Sequence, residues 1–465
     1  MEQFHRSPQG FSETPRLVPR GAEAEIPLTF QQQWLWYVLT PKFSPEDFNV
    51  KSTLHLLGPL DPSALDAAVA AVTLRHEALR TAIVEVDGTA LQSVQPESTV
   101  PIKIIPVLGE TIEARQNEAR KLIANFVKER PDYRHGPLFK VQLLRLAETD
   151  HVLTLLLDHM ISDGLSITLL WRDIQTAYLL ALAGRAIVWS EETAQYPDYA
   201  IWQNEPNGLW GKTNRGYWDE KLKGAAPIRF RPDSNTRSTP VSFASTQILM
   251  EEDLCMALRR LATTEGTTLP LIFLTAFVAL VSLRCEQRTF VVPLNSMGRN
   301  DPAIANAIGY FAHIIHLRME LSENDTYRDI LDRAKNEYVQ SLKHDDLGRT
   351  VREQPQFIKG AWFQCENMSL TDTDLQPWGP LKINRFELMD VPTSTPIQTE
   401  PVSDTSFIFM EQGRRAKIWV SFRSDRFKSL TARAVAGDLI SICQEFAIAP
   451  WSKPTQPPNQ RVGNL

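Results

Sequence analysis

The chain has 465 residues, of which 43% are hydrophobic and 22% charged, and its net charge is −6. That length exceeds one ordinary domain and predicts two or three, while the apolar fraction is that of a globular protein and the acidic balance argues against a nucleic-acid surface. Cys255, Cys285, Cys365 and Cys443 are scattered, with neither metal spacing nor a disulfide framework, so a reducing compartment and no metal are expected.

Met1–Glu25 is polar and rich in Pro, Gly and Arg, the composition of a mobile arm. Within it Leu17-Val18-Pro19-Arg20-Gly21 resembles a thrombin-cleavage linker. No apolar signal core is present there. Organised sequence begins at Pro27–Trp36, and a strand pattern follows over Val50–Leu57. Leu60-Asp61-Pro62-Ser63 opens a helix, with Pro near its first turn, ahead of Arg75-His76-Glu77-Ala78-Leu79-Arg80-Thr81. Ala82–Val86, the Asp87-Gly88 turn and Ala90–Val94 predict a β-hairpin, and Thr111–Lys128 another helix. Leu138–Leu146 and Val152–Leu157 form a second hairpin through Glu148-Thr149-Asp150.

Leu153–Leu157 is almost wholly apolar, the pattern of a strand buried on both faces. The run stops at Asp158, His159, Asp163 and Gly164. From Leu165 to Leu182 apolar residues recur at helical spacing (Leu165, Leu169, Leu170, Ile174, Tyr178, Leu182), so a helix begins just after the glycine. A base and an acid thus sit on a tight turn leaving a core strand, where a rigid backbone aims a side chain into a cleft. Taken alone, the same residues read equally as a satisfied core histidine and a helix cap.

Tyr196–Trp202 is aromatic-rich, and Pro227–Pro240 reads as a linker or crossover. The second half alternates again, with helices at Asp253–Thr263, Leu271–Leu283 and Asp325–Lys343 and strands at Arg288–Pro293, Ile314–Glu320 and Trp362–Glu366. A hairpin of Phe407–Met410 with Ile418–Phe422 precedes a last helix from Thr431 to Phe446. The most apolar run, Leu269–Leu283, contains Pro270 and is shorter than a bilayer span, so a buried helix in a cytoplasmic protein without membrane contact is expected. The expected division is an arm (1–25), an N-terminal lobe (26–190), an aromatic segment and crossover (191–240), a C-terminal lobe (241–449) and a disordered Pro-rich tail (450–465).

These segments, in this order, resemble the condensation domains of nonribosomal peptide synthetases, within the chloramphenicol-acetyltransferase-like acyltransferases whose signature is His-His-x-x-x-Asp-Gly. The resemblance spans Ile26–Ala449. Pro27–Trp36 is similar to the family's Gln-x-x-x-Trp segment, Arg75–Thr81 matches Arg-His-Glu-x-Leu-Arg-Thr, and Tyr196–Trp202 matches Tyr-x-Asp-Tyr-Ala-x-Trp. Ile308-Gly309-Tyr310-Phe311, followed by Arg318, resembles Ile-Gly-x-Phe-Val-Asn-Thr. Three departures stand out. Asp158 replaces the first signature His, Ala312-His313-Ile314 replaces Val-Asn-Thr, and a late His-Gln-Asp survives as His344-Asp345-Asp346. Asp158, Asp163 and Ser166 also meet the Asp-x4-Asp-x2-Ser pattern of heterocyclization domains, whereas His159, Gly164 and the Ile-Gly-Tyr-Phe segment favour condensation. A catalytically degenerate recruitment domain is the non-enzyme alternative.

The resemblance implies an α/β (α+β) fold of two chloramphenicol-acetyltransferase-like lobes in a V-shaped pseudo-dimer, with the active site at their interface. The sequence shows no phosphopantetheine-attachment motif and no nucleotide-binding loop, so a freestanding enzyme without a bound cofactor is expected. The acyl or peptidyl donor would ride on the phosphopantetheine of a separate carrier protein, and the acceptor would be a small-molecule amine or alcohol. His159 is the implied base, or the hydrogen-bond acceptor that aligns the incoming group. A backbone N–H at or after Gly164 is the implied oxyanion donor. Asp163 is implied in an architectural ion pair with an Arg, for which Arg75 is the candidate and Arg80 the next. Asp158 either raises the His159 pKa by its charge or turns away into a hydrogen-bonded network. Tyr199 and Trp202 read as core packing or as channel wall. Asn295, Arg299, Tyr310 and His313 are expected along the substrate channel, His313 reading alternatively as an exposed polar residue.

Overall fold

The fold is that of a computed structural model, which describes residues 17–21, 24–39, 48–96, 99–129, 132–189, 193–205, 213–235, 242–299, 301–345, 354–366, 376–386 and 403–456. Asp150–Asp158 is the central strand of a five-stranded sheet. It pairs antiparallel with Asn49–Leu57 on one side and Phe139–Ala147 on the other. All nine of its residues are buried. The apolar run is continuous because the pleat feeds two cores. Leu153, Leu155 and Leu157 enter the main core of the first half, under helices Pro62–Arg75 and Gly164–Leu182, while Val152 joins a smaller one with Ile123 of helix Ile112–Phe126.

The second half is built on a mixed seven-stranded sheet. Its order is His313–Glu320, Thr289–Ser296, Ala361–Glu366, Thr405–Gln412, Arg415–Arg423 and Phe243–Met250, with Ala226–Pro227 beside Thr289–Ser296. Ala361–Glu366 runs parallel to both its neighbours. Helices Glu252–Thr264, Leu269–Arg284, Tyr327–Lys343 and Ser429–Ile448 pack on this sheet through one shared core. Leu269–Arg284 is apolar on every side because every residue from Ile272 to Val281 is buried. No single helix among the described residues is long and apolar enough to cross a membrane.

The Asp87-Gly88 hairpin forms as its turn chemistry requires, with φ of 51° and 77° at the two central residues. The aromatic-rich segment proves to be a helix, Tyr196–Asn204. Ile102–Pro106, which pairs with Phe139–Ala147, escaped the periodicity reading, as did two strands of the second half, Phe243–Met250 and Lys382–Arg385. The latter crosses back from the second half to pair with Asn49–Leu57, and Trp378, Leu381 and Ile383 join the first half's core. Two expectations of mobility need correction. Leu17 packs on the first core, and Arg20 Nη1 lies 2.7 Å from Asp198 and 2.8 Å from Glu77, so Leu17–Gly21 is anchored. The tail is held at its start, where the backbone N–H groups of Tyr327 and Arg328 donate to Ser452 O and Pro450 O at 3.0 and 2.9 Å. Residues 1–16, 236–241, 346 and 457–465 lie outside the described residues.

Candidate active site

The turn from the central strand to helix Gly164–Leu182 is closed by Asp158 O, which accepts from Ile161 N at 3.1 Å and from Ser162 Oγ at 3.0 Å. His159 sits on this turn with its Nδ1 2.7 Å from Ser162 O. A carbonyl only accepts, so Nδ1 carries the proton and Nε2 is left with its lone pair. The ring packs against Tyr310, centroids 4.3 Å apart. Burial pushes the imidazole pKa below its ordinary value, partly opposed by the charge of Asp163, so the ring is neutral at neutral pH.

Asp163 caps the helix and is saturated. Its Oδ1 accepts from Ser166 N, Ser166 Oγ and Arg299 Nη2 at 2.9, 2.8 and 3.0 Å, and its Oδ2 from Arg299 Nη1, Phe311 N and Ala312 N at 2.7, 3.1 and 3.2 Å. Burial alone would raise this carboxyl; the Arg299 charge and the bonds from Arg299 and Ser166 outweigh it and hold the pKa below the usual range. The expected partner was wrong. Arg75 instead pairs with Asp173 at 3.2 Å and covers the Trp189 ring, while Arg80 donates to Gln95 O at 2.5 Å. Both belong to the Arg-His-Glu knot, in which His76 also holds Asp173 at 2.8 Å. Arg299, expected along a channel, is the ion-pair partner. Its remaining bonds go to Met297 O, Ser166 Oγ and Ala307 O.

The 297–312 loop is thereby clamped onto the signature turn. Ser166 Oγ lies 2.9 Å from Gly309 O and accepts from Gly309 N at 3.1 Å. Gly309 is irreplaceable by size, since a Cβ there would stand 2.2 Å from the Tyr196 ring. The Tyr196 hydroxyl donates to Tyr310 O at 2.7 Å and meets Thr29 Oγ1 at 2.8 Å. Tyr199 is 1% exposed and packs between Trp202 and Phe311, with centroids 5.6 and 4.8 Å away. Tyr199 and Trp202 therefore resolve to core packing. From the other side, Gln32 Nε2 donates to Met160 O at 2.8 Å and fixes helix Phe30–Trp34 against the turn.

Asp158 turns away from His159. Its Oδ1 accepts from Met160 N at 2.8 Å and its Oδ2 from the Tyr133 hydroxyl at 3.0 Å. With no cation beside it among the described residues, burial pushes its pKa up to about 7 despite those two bonds.

A cavity of about 550 Å³, including its open mouth, lies beside His159. The first half contributes Phe30, Gln31, Trp34 and His159; the second contributes Asn295, Tyr310, Ala312, His313, Ile314 and Trp362. His313 is buried, not exposed, with Nδ1 2.9 Å from Phe311 O and Nε2 2.7 Å from Asp345 Oδ1. Gly164 starts the helix but does not line this cavity. The structure thus gathers His159, Asn295, Tyr310 and His313, clamps Asp163, Ser166 and Arg299 behind them, and leaves Arg75, Arg80, Tyr199 and Trp202 in the framework. Phe30, Trp34 and Trp362 were not foreseen as cavity walls. The aromatic character of Pro27–Trp36 was the one signal for Phe30 and Trp34, and Trp362, on strand Ala361–Glu366, had none.

The sequence matches the family model for the condensation domain over residues 22–456. The chain belongs to the condensation-domain family. One of the linear gramicidin synthase proteins of Brevibacillus parabrevis is 32% identical over 71% of the chain, and the probable nonribosomal peptide synthetase CymA of Salinispora arenicola 28% identical over 94%. The chain spans only 6% of the length of each. Among solved structures, SgcC5 of Streptomyces globisporus, in complex with a naphthyl ethanediol and sucrose, superposes with a TM-score of 0.74 at 21% identity, covering 92% of this chain and all of that one. The X-domain from teicoplanin biosynthesis gives 0.75 at 20% identity over 94% and 98% of the two chains. This condensation domain therefore has the fold of those proteins, with its signature turn, clamp and cavity at the meeting of its two halves.

Proposed function

We propose that this condensation domain transfers an acyl or peptidyl group from the phosphopantetheine thioester of a carrier protein to an amine or hydroxyl acceptor, forming an amide or ester in natural-product biosynthesis. The observation that carries this reading is His159. Its Nδ1–H is committed to Ser162 O, its pKa is lowered by burial, and it lines a cavity with Nε2 available. As the acceptor attacks the thioester carbonyl, Nε2 takes its proton while the C–N or C–O bond forms. The tetrahedral intermediate then collapses, the C–S bond breaks, and the thiol leaves with the proton returned by the imidazolium. A thiol of pKa about 8.5 needs little help to leave, so assistance is concentrated on the acceptor, where one placed base is worth ~10²–10⁴ in rate.

Asp163 serves this chemistry as architecture rather than as a triad acid, because both its oxygens are filled by Arg299, Ser166 and the 311–312 amides. Heterocyclization drew its support from Asp158, whose carboxyl is bonded to Tyr133 and Met160 instead of lining the cavity. We further propose that the acceptor enters free; SgcC5, of the same fold, holds a diffusible diol. An acyl-transfer assay with a set of carrier-bound donors tests the reading. His159→Ala is expected to keep the wild-type melting temperature and lose at least ~100-fold in turnover. Near wild-type transfer by the folded variant would remove His159 from the mechanism. Product from a tethered acceptor alone would refute free entry, and product from a simple acyl-CoA would refute the carrier-bound donor.

A further inference from the structure

Ten side chains line the cavity beside His159, and apart from the two histidines none of them is acidic or basic. Phe30, Trp34, Tyr310, Ile314 and Trp362 form its walls. Besides Trp34, six liners carry a polar side-chain atom (Gln31, His159, Asn295, Tyr310, His313 and Trp362), and two of these are already engaged. Gln31 donates to Phe311 O at 3.3 Å and accepts from Gln203 Nε2 at 3.1 Å. His313 lies between Phe311 O and Asp345 Oδ1, so both its nitrogens are occupied. The Nε2 of His159, the side-chain amide of Asn295 (opposite Ile314 on the paired strands), the Tyr310 hydroxyl and the buried indole N–H of Trp362 make no hydrogen bond to the described residues; the last two sit within the aromatic walls. The neighbouring ion pair offers no counter-charge, because the Arg299 charge is met by Asp163 and neither residue lines the cavity.

Resting on the acyl-transfer reading of this site, we propose that its acceptor has an apolar body and carries no free carboxylate or phosphate. The reacting nitrogen or oxygen lies at His159 Nε2 and one further polar group lies at Asn295. A free amino acid is thereby excluded. Its carboxylate would be desolvated among aromatic rings with no lysine or arginine among the described lining residues to meet it, and an unpaired buried charge is strongly unfavourable. The aromatic faces suit an apolar body and tolerate an arriving ammonium through cation–π attraction. An amine or alcohol whose carboxylate is absent, or masked as an amide, ester or thioester, fits the cavity.

Equilibrium binding of three compounds to the whole protein, followed by ligand-observed NMR, tests this: 2-phenylethylamine, L-phenylalanine amide and L-phenylalanine. The first two are expected to bind, and L-phenylalanine to bind at least tenfold more weakly than its amide. Asn295→Lys puts a cation at the cavity and should narrow that gap at least threefold; Ile314→Lys carries the same charge from the facing strand should the first variant misfold. Equal binding of amide and free acid overturns the proposal, as does binding of none of the three, or a gap unchanged in a folded lysine variant. Acyl transfer is scored separately. The expected ranking without any transfer would sink the condensation reading and leave this one standing, whereas equal transfer to free phenylalanine and its amide would do the reverse.

Discussion

Asp158 and Asp163 close the two ends of one turn and are equally buried, each 1% exposed, yet their carboxyls move in opposite directions. Burial raises both. At Asp163 it is outweighed by a guanidinium and a ring of donors; at Asp158 it meets one hydroxyl and one amide and prevails. Depth alone thus does not decide ionisation; partners do. The pair also divides the turn's labour. One end is bolted to the second half of the chain through Arg299, and the other stays within the first half through Tyr133.

The largest effect expected from breaking this contrast is that of Asp163→Ala. It strands the Arg299 charge and removes the acceptors for Phe311 N and Ala312 N, at a cost of about 3–5 kcal/mol. Urea unfolding measures it. A variant that melts like wild type but is inactive would move Asp163 from architecture into the chemistry. Next comes the loop that Arg299 anchors. Gly309→Ala forces a methyl against Tyr196 and is expected to cost about 1–3 kcal/mol, and to lower turnover by shifting Tyr310 against His159. Unchanged melting with full turnover would show that the clamp yields without consequence.

Much of the fold was legible because it follows from periodicity and turn chemistry. Leu153–Leu157 announced a two-faced core strand, Asp87-Gly88 a hairpin, and Leu165–Leu182 a helix within a residue of its bounds. His159 and Asp163 were legible as a base and an acid on one turn. The partner of Asp163 was not. Arg299 lies 136 residues away, and nothing local marks which arginine the fold returns to the turn; Arg75, the candidate from the sequence, is committed to Asp173. The same limit hid the crossing strand Lys382–Arg385, four residues paired to Asn49–Leu57 by long-range register alone. Phe243–Met250 was missed because its edge position leaves only Thr246 and Met250 buried, so no apolar alternation marks it.

The raised carboxyl has its own signature in pH. Because folded Asp158 holds its proton more tightly than the unfolded chain does, it favours the fold most in acid and loses that contribution as pH rises from about 4 through about 7. Asp163, lowered in the fold, contributes above the unfolded value and is lost as pH falls below it. Asp158→Asn keeps both hydrogen-bond positions without the charge. The variant is therefore expected to gain about 1 kcal/mol on wild type between pH 6 and 7. Chemical unfolding at several pH values measures the difference; a gap that does not vary with pH would show that this carboxyl is not raised.

The smallest expected effect asks whether the Asp158 end touches the reaction at all. Its carboxyl is bonded to Tyr133 and Met160, and the charge that bears on the His159 ring comes from Asp163. The acid limb of kcat/KM, which reports the free enzyme's base, should have its midpoint below the ordinary imidazole value of about 6.5, because burial disfavours the imidazolium. Asp158→Asn should leave that midpoint unmoved within about 0.3 pH unit, since a shift of one whole unit corresponds to ~1.4 kcal/mol of interaction between the two groups. A limb displaced by a unit would mean that Asp158 acts on the base through its charge. The two carboxylates would then differ in stability but not in function, and the aspartate in place of the first signature histidine would have a catalytic reason to be there.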